Sequence, residues 1–175
     1  MWRQGRYEDA INYYFKLATI TNKAMEDGKR WDAYVNEFAV ANKQMPPEFG
    51  DTPLTSPRAQ EKLFIEYNDQ FDLVGVPDVL DDPVLYEIKT GSSKDSADYA
   101  NDFQISLYFL LCDTHYPSVD RAYIKHYNQY SEVLDETLIW KTDRELARAR
   151  NFIDSIGPDL ILYWDKYNLW DRDRK

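Results

Sequence analysis

The sequence predicts an α/β fold in which helices at both ends of the chain flank a group of β-strands. Apolar residues recur at helical spacing in residues 1–42 and again in residues 142–170. Between them, residues 62–128 contain one strongly apolar helix and several segments in which apolar and polar side chains alternate, as they do in strands. Helical and strand-like patterns that succeed one another in this way are typical of α/β proteins.

The N-terminal 42 residues predict two helices, each with one buried face, and Gly28 separates them. Residues 43–57 contain four prolines and one glycine, so they predict a loop rather than a helix or a strand. Such a loop could border a substrate channel.

Four segments predict strands in addition to the strand that carries the candidate site. Residues 62–68 alternate weakly between apolar and polar side chains, and residues 119–129 alternate clearly. Residues 71–80 predict a strand with Pro77 at a bulge or at a sheet edge. Residues 137–140 predict an edge strand.

The C-terminal part of the chain predicts two more helices. Thr142 and Glu145 have the spacing of a capping box, and the helix that they begin should end at Gly157 and Pro158. Aromatic residues at helical spacing in residues 159–170 predict a final helix that packs over the core. A base-stacking platform is the less favoured interpretation of these aromatic residues.

Composition predicts one domain, residues 1–175, with one hydrophobic core, since 43% of the 175 residues are hydrophobic. No apolar run approaches the ~20 residues that a membrane span requires, and no signal peptide opens the chain. We therefore expect a cytoplasmic protein without a membrane partner. The single cysteine, Cys112, excludes a disulfide framework and any four-cysteine metal or iron–sulfur site.

The strongest functional signal lies on a strand predicted within residues 84–91. Side chains two residues apart on a strand point to the same face, so Glu87 and Lys89 project together. A tight turn at residues 81–83 would fold the preceding strand back and place Asp78 beside them. Two carboxylates and an ammonium would then share one surface, and carboxylate oxygens are suitable ligands for Mg²⁺ or Mn²⁺.

Residues 98–113 predict a buried helix, because they are apolar on nearly every side. Gln104 is unusual there, since a buried amide needs a hydrogen-bond partner, and Tyr108 follows one turn later on the same helix face. Alone, the pair would indicate a glutamine bonded to a neighbouring strand and a core tyrosine. Together with the upstream acids, it favours two side chains that point at the metal site.

The order of Asp78, Glu87, Lys89, Gln104 and Tyr108 resembles the PD-(D/E)XK nuclease superfamily, and within it the RecB-like exonucleases, in which a Q-x-x-x-Y helix motif follows the E-x-K strand. The resemblance implies a restriction-endonuclease-like core with a mixed central β-sheet, in the order helix, three strands, helix, strand, and extra helices at both termini. It also implies that all five residues are catalytic, that Mg²⁺ or Mn²⁺ is the cofactor, and that Asp78 and Glu87 bind the metal.

One position departs from the family pattern. RecB-like nucleases place a metal-binding histidine, often followed by an acid, on an N-terminal helix, and the matching stretch here has Trp31 followed by Asp32. Asp32 could complete the metal shell, or it could stabilise the N-terminus of its own helix. His115 and His126 lie outside the family motifs and are interpreted as surface or structural residues. The iron–sulfur cluster of some RecB-like relatives is excluded by the single cysteine.

The resemblance implies a metal-dependent deoxyribonuclease that hydrolyses phosphodiester bonds. Its implied substrates are DNA ends or single strands, and its implied action is exonucleolytic. Recombination, repair or the replication of phages and mobile elements is the implied setting, with a helicase or recombination protein as partner. Lys89 would stabilise the reacting phosphate, and Gln104 and Tyr108 would hold the sugar–phosphate backbone.

Net charge supports a second interpretation. The formal charge of the chain is −10, whereas proteins that bind nucleic acids usually display a basic surface. Residues 141–150 are the best local basic stretch, although such a run is more often a solvated helix face. The chain could therefore be a catalytically silent nuclease-fold module that serves as a DNA-end or protein-docking platform, or an α/β protein with a fortuitous charge pattern.

Overall fold

A five-stranded mixed β-sheet forms the centre of the fold. The structure is a computed structural model that describes residues 23–91, 96–100 and 103–167. In spatial order, the strands of the sheet are β1 (Arg58–Ala59), β4 (Val79–Asp81), β5 (Val84–Thr90), β6 (Arg121–Asn128) and β7 (Val133–Trp140). Strands β5 and β6 run parallel, and the other neighbouring pairs run antiparallel.

A separate two-stranded sheet and four α-helices complete the described part of the chain. The small sheet pairs β2 (Leu63–Asn68) with β3 (Phe71–Gly75). The helices are α1 (Lys23–Asn42), α2 (Ser96–Ala100), α3 (Gln104–His115) and α4 (Asp143–Tyr167), and a 3₁₀ helix spans Pro47–Phe49. The predicted fold class, a mixed central sheet flanked by helices, is confirmed.

Strand β5 separates two hydrophobic clusters, because successive side chains on a strand point to opposite faces. Tyr86 belongs to the cluster that contains Val35 of α1, and Leu85 belongs to the cluster that contains Phe109 of α3. Glu87 follows Leu85 by two residues and therefore lies on the face of the sheet that α3 covers.

The loop of residues 43–57 is held against the sheet by a buried lysine. Lys125 on β6 is 3% exposed, and its Nζ donates hydrogen bonds to the Phe49 carbonyl oxygen at 2.9 Å and to the Glu136 carboxylate. The loop predicted for these residues is present, with the 3₁₀ helix inside it. A segment rich in proline is thus ordered by contacts to a strand that is distant in sequence.

The segment predicted as one bulged strand, residues 71–80, is two strands in different sheets. Strand β3 ends at Gly75 and strand β4 begins at Val79. Pro77, which has no N–H group to donate to a neighbouring strand, lies in the break between them. Asp78 therefore lies where the chain enters the central sheet, and not within a strand.

Close packing of β3 against α3 depends on Gly75. A Cβ atom added at this position would lie 2.4 Å from Leu111 Cδ1 and 3.0 Å from Tyr108 Cε1, and both neighbours are buried. We expect Gly75→Ala to lower the free energy of unfolding by about 1–3 kcal/mol, the usual cost of an overpacked core. Gly28→Ala is the control, because its new Cβ would meet only Thr90 Oγ1, at 3.9 Å.

Denaturant unfolding of both variants would test this prediction. Gly28 is in a helix, where alanine is favoured over glycine, so Gly28→Ala should leave stability unchanged or raise it by up to about 1 kcal/mol. Equal free energies of unfolding for the two variants would contradict the prediction.

Two helices differ from the predicted boundaries. Helix α1 passes through Gly28 without a break, since an internal glycine costs only about 1 kcal/mol and the helix buries Val35 and Ala39 further along. The helix predicted before Gly28 falls largely on residues 1–22, which lie outside the described residues. Residues 98–113 form two helices, α2 and α3, instead of one; Gln104 is the first residue of α3 and is half-buried.

One of the two hydrogen bonds of the capping box predicted for α4 is present. The Glu145 backbone N–H donates a hydrogen bond to Thr142 Oγ1 at 3.3 Å. The Glu145 carboxylate does not return to the cap but accepts a hydrogen bond from Ser106 Oγ of α3 at 2.5 Å. A contact between two helices has thus replaced the local contact that the sequence predicts.

Helix α4 does not end at Gly157 and Pro158 but continues to Tyr167. An internal proline costs a helix about 3 kcal/mol, and Ile153 and Gly157 are buried in the turns next to it, so packing favours continuation. The final helix predicted for residues 159–170 is the C-terminal part of α4, and residues 168–170 lie outside the described part.

The other strand predictions are confirmed. Strands β2 and β6 lie within the segments predicted at residues 62–68 and 119–129, and β7 lies at the edge of the central sheet but begins earlier, at Val133. Within the part of the chain that the structure describes, no helix combines the length and the hydrophobicity of a membrane span. A single domain over residues 1–175 stays a prediction.

Candidate active site

The antiparallel pairing of β4 with β5 places Asp78 beside the strand that carries Glu87 and Lys89. The Asp78 Oδ2 atom accepts a hydrogen bond from the Ile88 backbone N–H at 2.8 Å. Lys89 Nζ donates a hydrogen bond to Glu87 Oε1 at 2.6 Å. Two carboxyl groups and one ammonium therefore share a small surface near the end of β5.

A chain of hydrogen bonds connects Lys89 with α3 and with the break between the two sheets. Lys89 Nζ donates to Gln104 Oε1 at 2.9 Å, and Gln104 Nε2 donates to the Tyr108 hydroxyl at 3.0 Å. The Tyr108 hydroxyl donates in turn to the Val76 carbonyl oxygen at 2.9 Å. Gln104 thus contacts a neighbouring strand, and the residue that it contacts there is Lys89 of the candidate site.

The two carboxyl groups resist ionisation. The pKa of Glu87 is raised to about 8, mainly by burial; the nearby charge of Asp78 contributes to the rise, and Lys89 opposes it. Burial also raises the pKa of Asp78, to about 6, although the hydrogen bond from the Ile88 N–H opposes the shift. Carboxyl groups with raised pKa values in a shared site are typical of functional sites.

Lys89 stays protonated. Burial lowers the pKa of its ammonium, but the charges of Glu87 and Asp78 and the hydrogen bond to Glu87 raise it by more, so the pKa lies above its ordinary value. The ring of Tyr99 lies 5.6 Å from Lys89 Nζ and adds a cation–π contact. Lys89 is therefore a fixed positive charge at neutral pH.

Asp32 on α1, the further metal ligand predicted from the sequence, is a neighbour of this cluster. Its charge raises the pKa of both Asp78 and Glu87. The pKa of Asp32 itself lies above its ordinary value because of burial, although the charge of Lys89 opposes the shift. Among the described residues, no three His, Cys, Asp or Glu side chains lie close enough together to hold a metal ion. The structure therefore brings two carboxylates together directly and places the third nearby.

Trp31, at the position where the resemblance would place a histidine, is partly buried and packs against the core. Its ring contacts the rings of Phe49 and Tyr127 edge-on, with centroids 5.9 Å and 5.2 Å away. Its Nε1 donates a hydrogen bond to Gln129 Oε1 at 3.2 Å. Trp31 thus holds α1 against the sheet.

His126, interpreted from the sequence as a surface or structural residue, lies beside Lys89. The two residues are partners in the parallel register of β5 and β6, and such partners project from the same face. His126 is 3% exposed, and its Nε2 has no hydrogen-bond partner among the described residues. Its ring lies 5.6 Å from the ring of Tyr99. No pattern in the sequence indicates this proximity, because it depends on strand register.

The residues present fit a divalent cation. Glu87 is 2% exposed, and its Oε2 atom is buried without a donor in the described part of the chain; besides Lys89, Glu87 contacts the Asp78 carboxyl group through a hydrogen bond that lowers the pKa of Asp78. A buried carboxylate oxygen without a partner is costly, unless a cation or an ordered water satisfies it. Mg²⁺ and Mn²⁺ take oxygen ligands, and Mg²⁺ is commonly held by one or two protein carboxylates with water in the other positions.

The chain was compared with known protein families, curated proteins and solved structures. No protein-family model matches the sequence, and no curated protein matches it. An alkaline exonuclease (LHK-Exo) from Laribacter hongkongensis has a similar structure, with a TM-score of 0.57 at 12% identity over 99% of this chain and 87% of that one. LHK-Exo in complex with dAMP gives a TM-score of 0.51 at 13% identity, over 87% and 78% of the two chains.

A protein from Eubacterium rectale that carries an exonuclease designation is similar in the same way. Its TM-score is 0.57 at 16% identity, and the match covers 82% of this chain and 68% of that one. At such low identity the likeness concerns the fold alone. The chain described here therefore shares the mixed α/β, restriction-endonuclease-like fold of these exonucleases.

Proposed function

We propose that this protein is a divalent-metal-dependent nuclease that hydrolyses phosphodiester bonds. The observation that carries the proposal is the cluster of buried Glu87 with half-buried Asp78 and Lys89, in a fold shared with exonucleases. A purely structural role offers no reason to bury two carboxyl groups side by side, because each raises the cost of ionising the other. A bound cation removes that cost.

Lys89 supplies positive charge where negative charge develops on the reacting phosphate. Its raised pKa keeps Nζ protonated, so Lys89 acts as a hydrogen-bond donor and electrostatic group and not as a general base. Gln104 fixes the direction of the ammonium, and Tyr108 fixes Gln104. These two residues therefore position Lys89, in addition to the contact with the sugar–phosphate backbone that the family resemblance implies.

Asp78 and Glu87 would hold the cation, with Asp32 as the further predicted ligand. Mg²⁺ or Mn²⁺ bound there would lower the pKa of a bound water and neutralise charge on the scissile phosphate. Before it binds a cation, Glu87 must lose the proton that its pKa of about 8 retains at neutral pH.

The proposed substrate is DNA, as ends or single strands, and the proposed action is exonucleolytic. The RecB-like order of Glu87, Lys89, Gln104 and Tyr108, with its Q-x-x-x-Y spacing, supports this choice, as does a similar structure that binds dAMP. The proposed setting is recombination, repair or the replication of phages and mobile elements in the cytoplasm, with a helicase or recombination protein as partner.

Cleavage of end-labelled single- and double-stranded DNA in Mg²⁺, Mn²⁺ or EDTA tests the proposal. We expect metal-dependent cleavage by the wild type and a loss of about 10²-fold or more in Lys89→Ala and in Asp78→Ala, the usual cost of removing one group that stabilises a transition state. Lys62→Ala and Asp69→Ala, which alter exposed residues outside the site, are matched controls and should cleave as the wild type does.

A thermal-unfolding measurement gives a second test of the proposal. Mg²⁺ or Mn²⁺ should also raise the melting temperature, because an ion that binds only the folded state stabilises it. A folded wild type that neither cleaves DNA nor gains thermal stability from either ion would overturn the proposal. It would favour the catalytically silent platform.

A further inference from the structure

A cavity of about 440 Å³ opens between α4 and the start of α3. We call it the α4 groove; the residues that matter in it are Phe103, Arg144, Arg148, Asn151 and Phe152. Arg144, Arg148 and Asn151 are four and then three residues apart, so they form one stripe along the helix.

The groove is positively charged in a chain whose formal charge is −10. None of the described residues that line it carries a carboxylate. Arg144 is exposed and makes no ion pair with any described residue, whereas Arg148 lies 3.3 Å from the Glu145 carboxylate. Arg144 therefore carries charge that no acid within the described residues neutralises. Asn151 is exposed beside it and offers an amide donor.

Phe103 connects the groove with the candidate active site. Its ring stacks on Phe152 with a centroid distance of 4.2 Å, and the Arg148 guanidinium lies 4.7 Å from the ring centroid. Gln104, which holds Lys89, is the next residue, and consecutive Cα atoms are only about 3.8 Å apart. The groove thus begins beside the residue that positions the reacting centre.

We propose that the α4 groove binds the sugar–phosphate backbone of a nucleic acid strand next to the scissile phosphate. The inference rests on the proposed function and adds to it the surface that holds the strand. Arg144 and Arg148 bind phosphate oxygens, and Asn151 donates a hydrogen bond to the same backbone. The ring of Phe103 is already packed by Phe152 and Arg148, so bases are not read there and binding is independent of sequence.

Binding of a fluorescein-labelled single-stranded oligonucleotide, followed by fluorescence anisotropy in EDTA, tests the groove apart from cleavage. Arg144→Glu should raise Kd about tenfold or more. Arg144→Ala should reduce the slope of log affinity against log salt concentration by about 0.7, the value for one phosphate contact on a single strand. Arg150→Glu is the matched control: it makes the same charge change on α4, but Arg150 is exposed outside the groove.

Arg144→Glu should fold, because an acid in the first turn of a helix is favourable. Asn151→Asp is a second test, since it places one negative charge in the groove at almost unchanged volume and should also weaken binding. Equal Kd values for Arg144→Glu and Arg150→Glu would overturn the proposal. So would wild-type protein that shows no binding up to about 100 μM, the weak end of nonspecific affinity for nucleic acid.

Hydrolysis of a mononucleotide p-nitrophenyl ester separates this proposal from the nuclease proposal, because such an ester has no second phosphate to occupy the groove. If the wild type hydrolyses it with Mg²⁺ or Mn²⁺ while Arg144→Glu and Arg150→Glu bind the oligonucleotide equally, the groove proposal fails and the nuclease proposal stands. If the wild type neither cleaves DNA nor gains thermal stability from either ion, but Arg144→Glu alone loses oligonucleotide binding, the groove binds nucleic acid and the nuclease proposal fails.

Discussion

Glu87→Gln should remove cleavage activity and, at the same time, raise the melting temperature of the metal-free protein. The loss of activity should be about 10²–10³-fold, as for other groups that act on the transition state. The gain in stability follows from burial: Glu87 is 2% exposed, and its pKa of about 8 shows that its charge is poorly accommodated. Glutamine has nearly the same shape and carries no charge.

The gain in stability should depend on pH. The pKa of Glu87 is about 8 in the folded protein and has an ordinary value of 4.5, so the folded protein holds this proton more tightly than the unfolded chain does. The contribution of Glu87 to stability is therefore full below pH 4.5 and is lost as the pH rises through 8. One pKa unit corresponds to about 1.4 kcal/mol. The free energy of unfolding of Glu87→Gln should therefore exceed that of the wild type by a few kcal/mol above pH 8, and the two should be equal below pH 4.5.

Thermal unfolding of both proteins in EDTA across this pH range would measure the effect. The pH dependence that remains in Glu87→Gln above pH 3.8 comes from the other carboxyl groups with raised pKa values, Asp78, whose pKa is about 6, and Asp32. Addition of Mg²⁺ should raise the melting temperature of the wild type but not of the variant. Glu66→Gln, an exposed change on β2, should alter none of these values.

A melting temperature of Glu87→Gln below that of the wild type at every pH would contradict the prediction. It would mean that the ion pair with Lys89 stabilises the fold by more than burial of the carboxylate costs. The candidate site would then be a structural ion pair, and the argument for a cation beside it would weaken.

Lys125→Ala should cause the largest loss of stability outside the candidate site, about 2–4 kcal/mol. Lys125 is 3% exposed, and its Nζ donates to the Phe49 carbonyl oxygen at 2.9 Å and to Thr52 Oγ1 at 3.4 Å. The variant leaves the Phe49 carbonyl without this donor, leaves Glu136 unpaired and opens a cavity, and each change destabilises the folded state.

Lys125→Met measures the contribution of the Nζ hydrogen bonds apart from that of the side-chain volume. Methionine fills most of the space of the lysine stem but donates no hydrogen bond, so its loss of stability should be smaller than that of alanine. Denaturant unfolding would rank the three proteins. A change of less than about 0.5 kcal/mol in Lys125→Ala, the usual range for surface substitutions, would contradict the role assigned to this residue.

Local pattern was enough to predict the convergence of Asp78, Glu87 and Lys89. The two-residue period of a strand places Glu87 and Lys89 on one face whatever surrounds them, and the turn before β5 depends on residues adjacent in sequence. The observed antiparallel pairing of β4 with β5 agrees with both the strand period and the predicted turn. Fold class was predictable for the same reason, since it follows from the succession of helical and strand periods.

Other features depend on contacts between distant residues, which a single sequence does not specify. His126 lies beside Lys89 only because β5 and β6 pair in one register. The sequence favours a Gln104 side chain that points at the metal site, but its hydrogen bond with Lys89 depends on how α3 packs on the sheet. The continuation of α4 through Pro158 contradicts a local rule, and burial of neighbouring residues in the folded protein explains it.

The hydrogen bond from Tyr108 to the Val76 carbonyl has a consequence for the order of folding. It joins residues 32 positions apart, and Lys89 and Gln104 are 15 positions apart. Contacts that close long loops form late, because the chain must give up entropy before they stabilise it. The strand that carries Glu87 can pair early with β4, but Lys89 gains its final orientation only when the β2–β3 hairpin and α3 have docked. A chain in which α3 has not docked would therefore carry the acidic residues of the site without an oriented lysine.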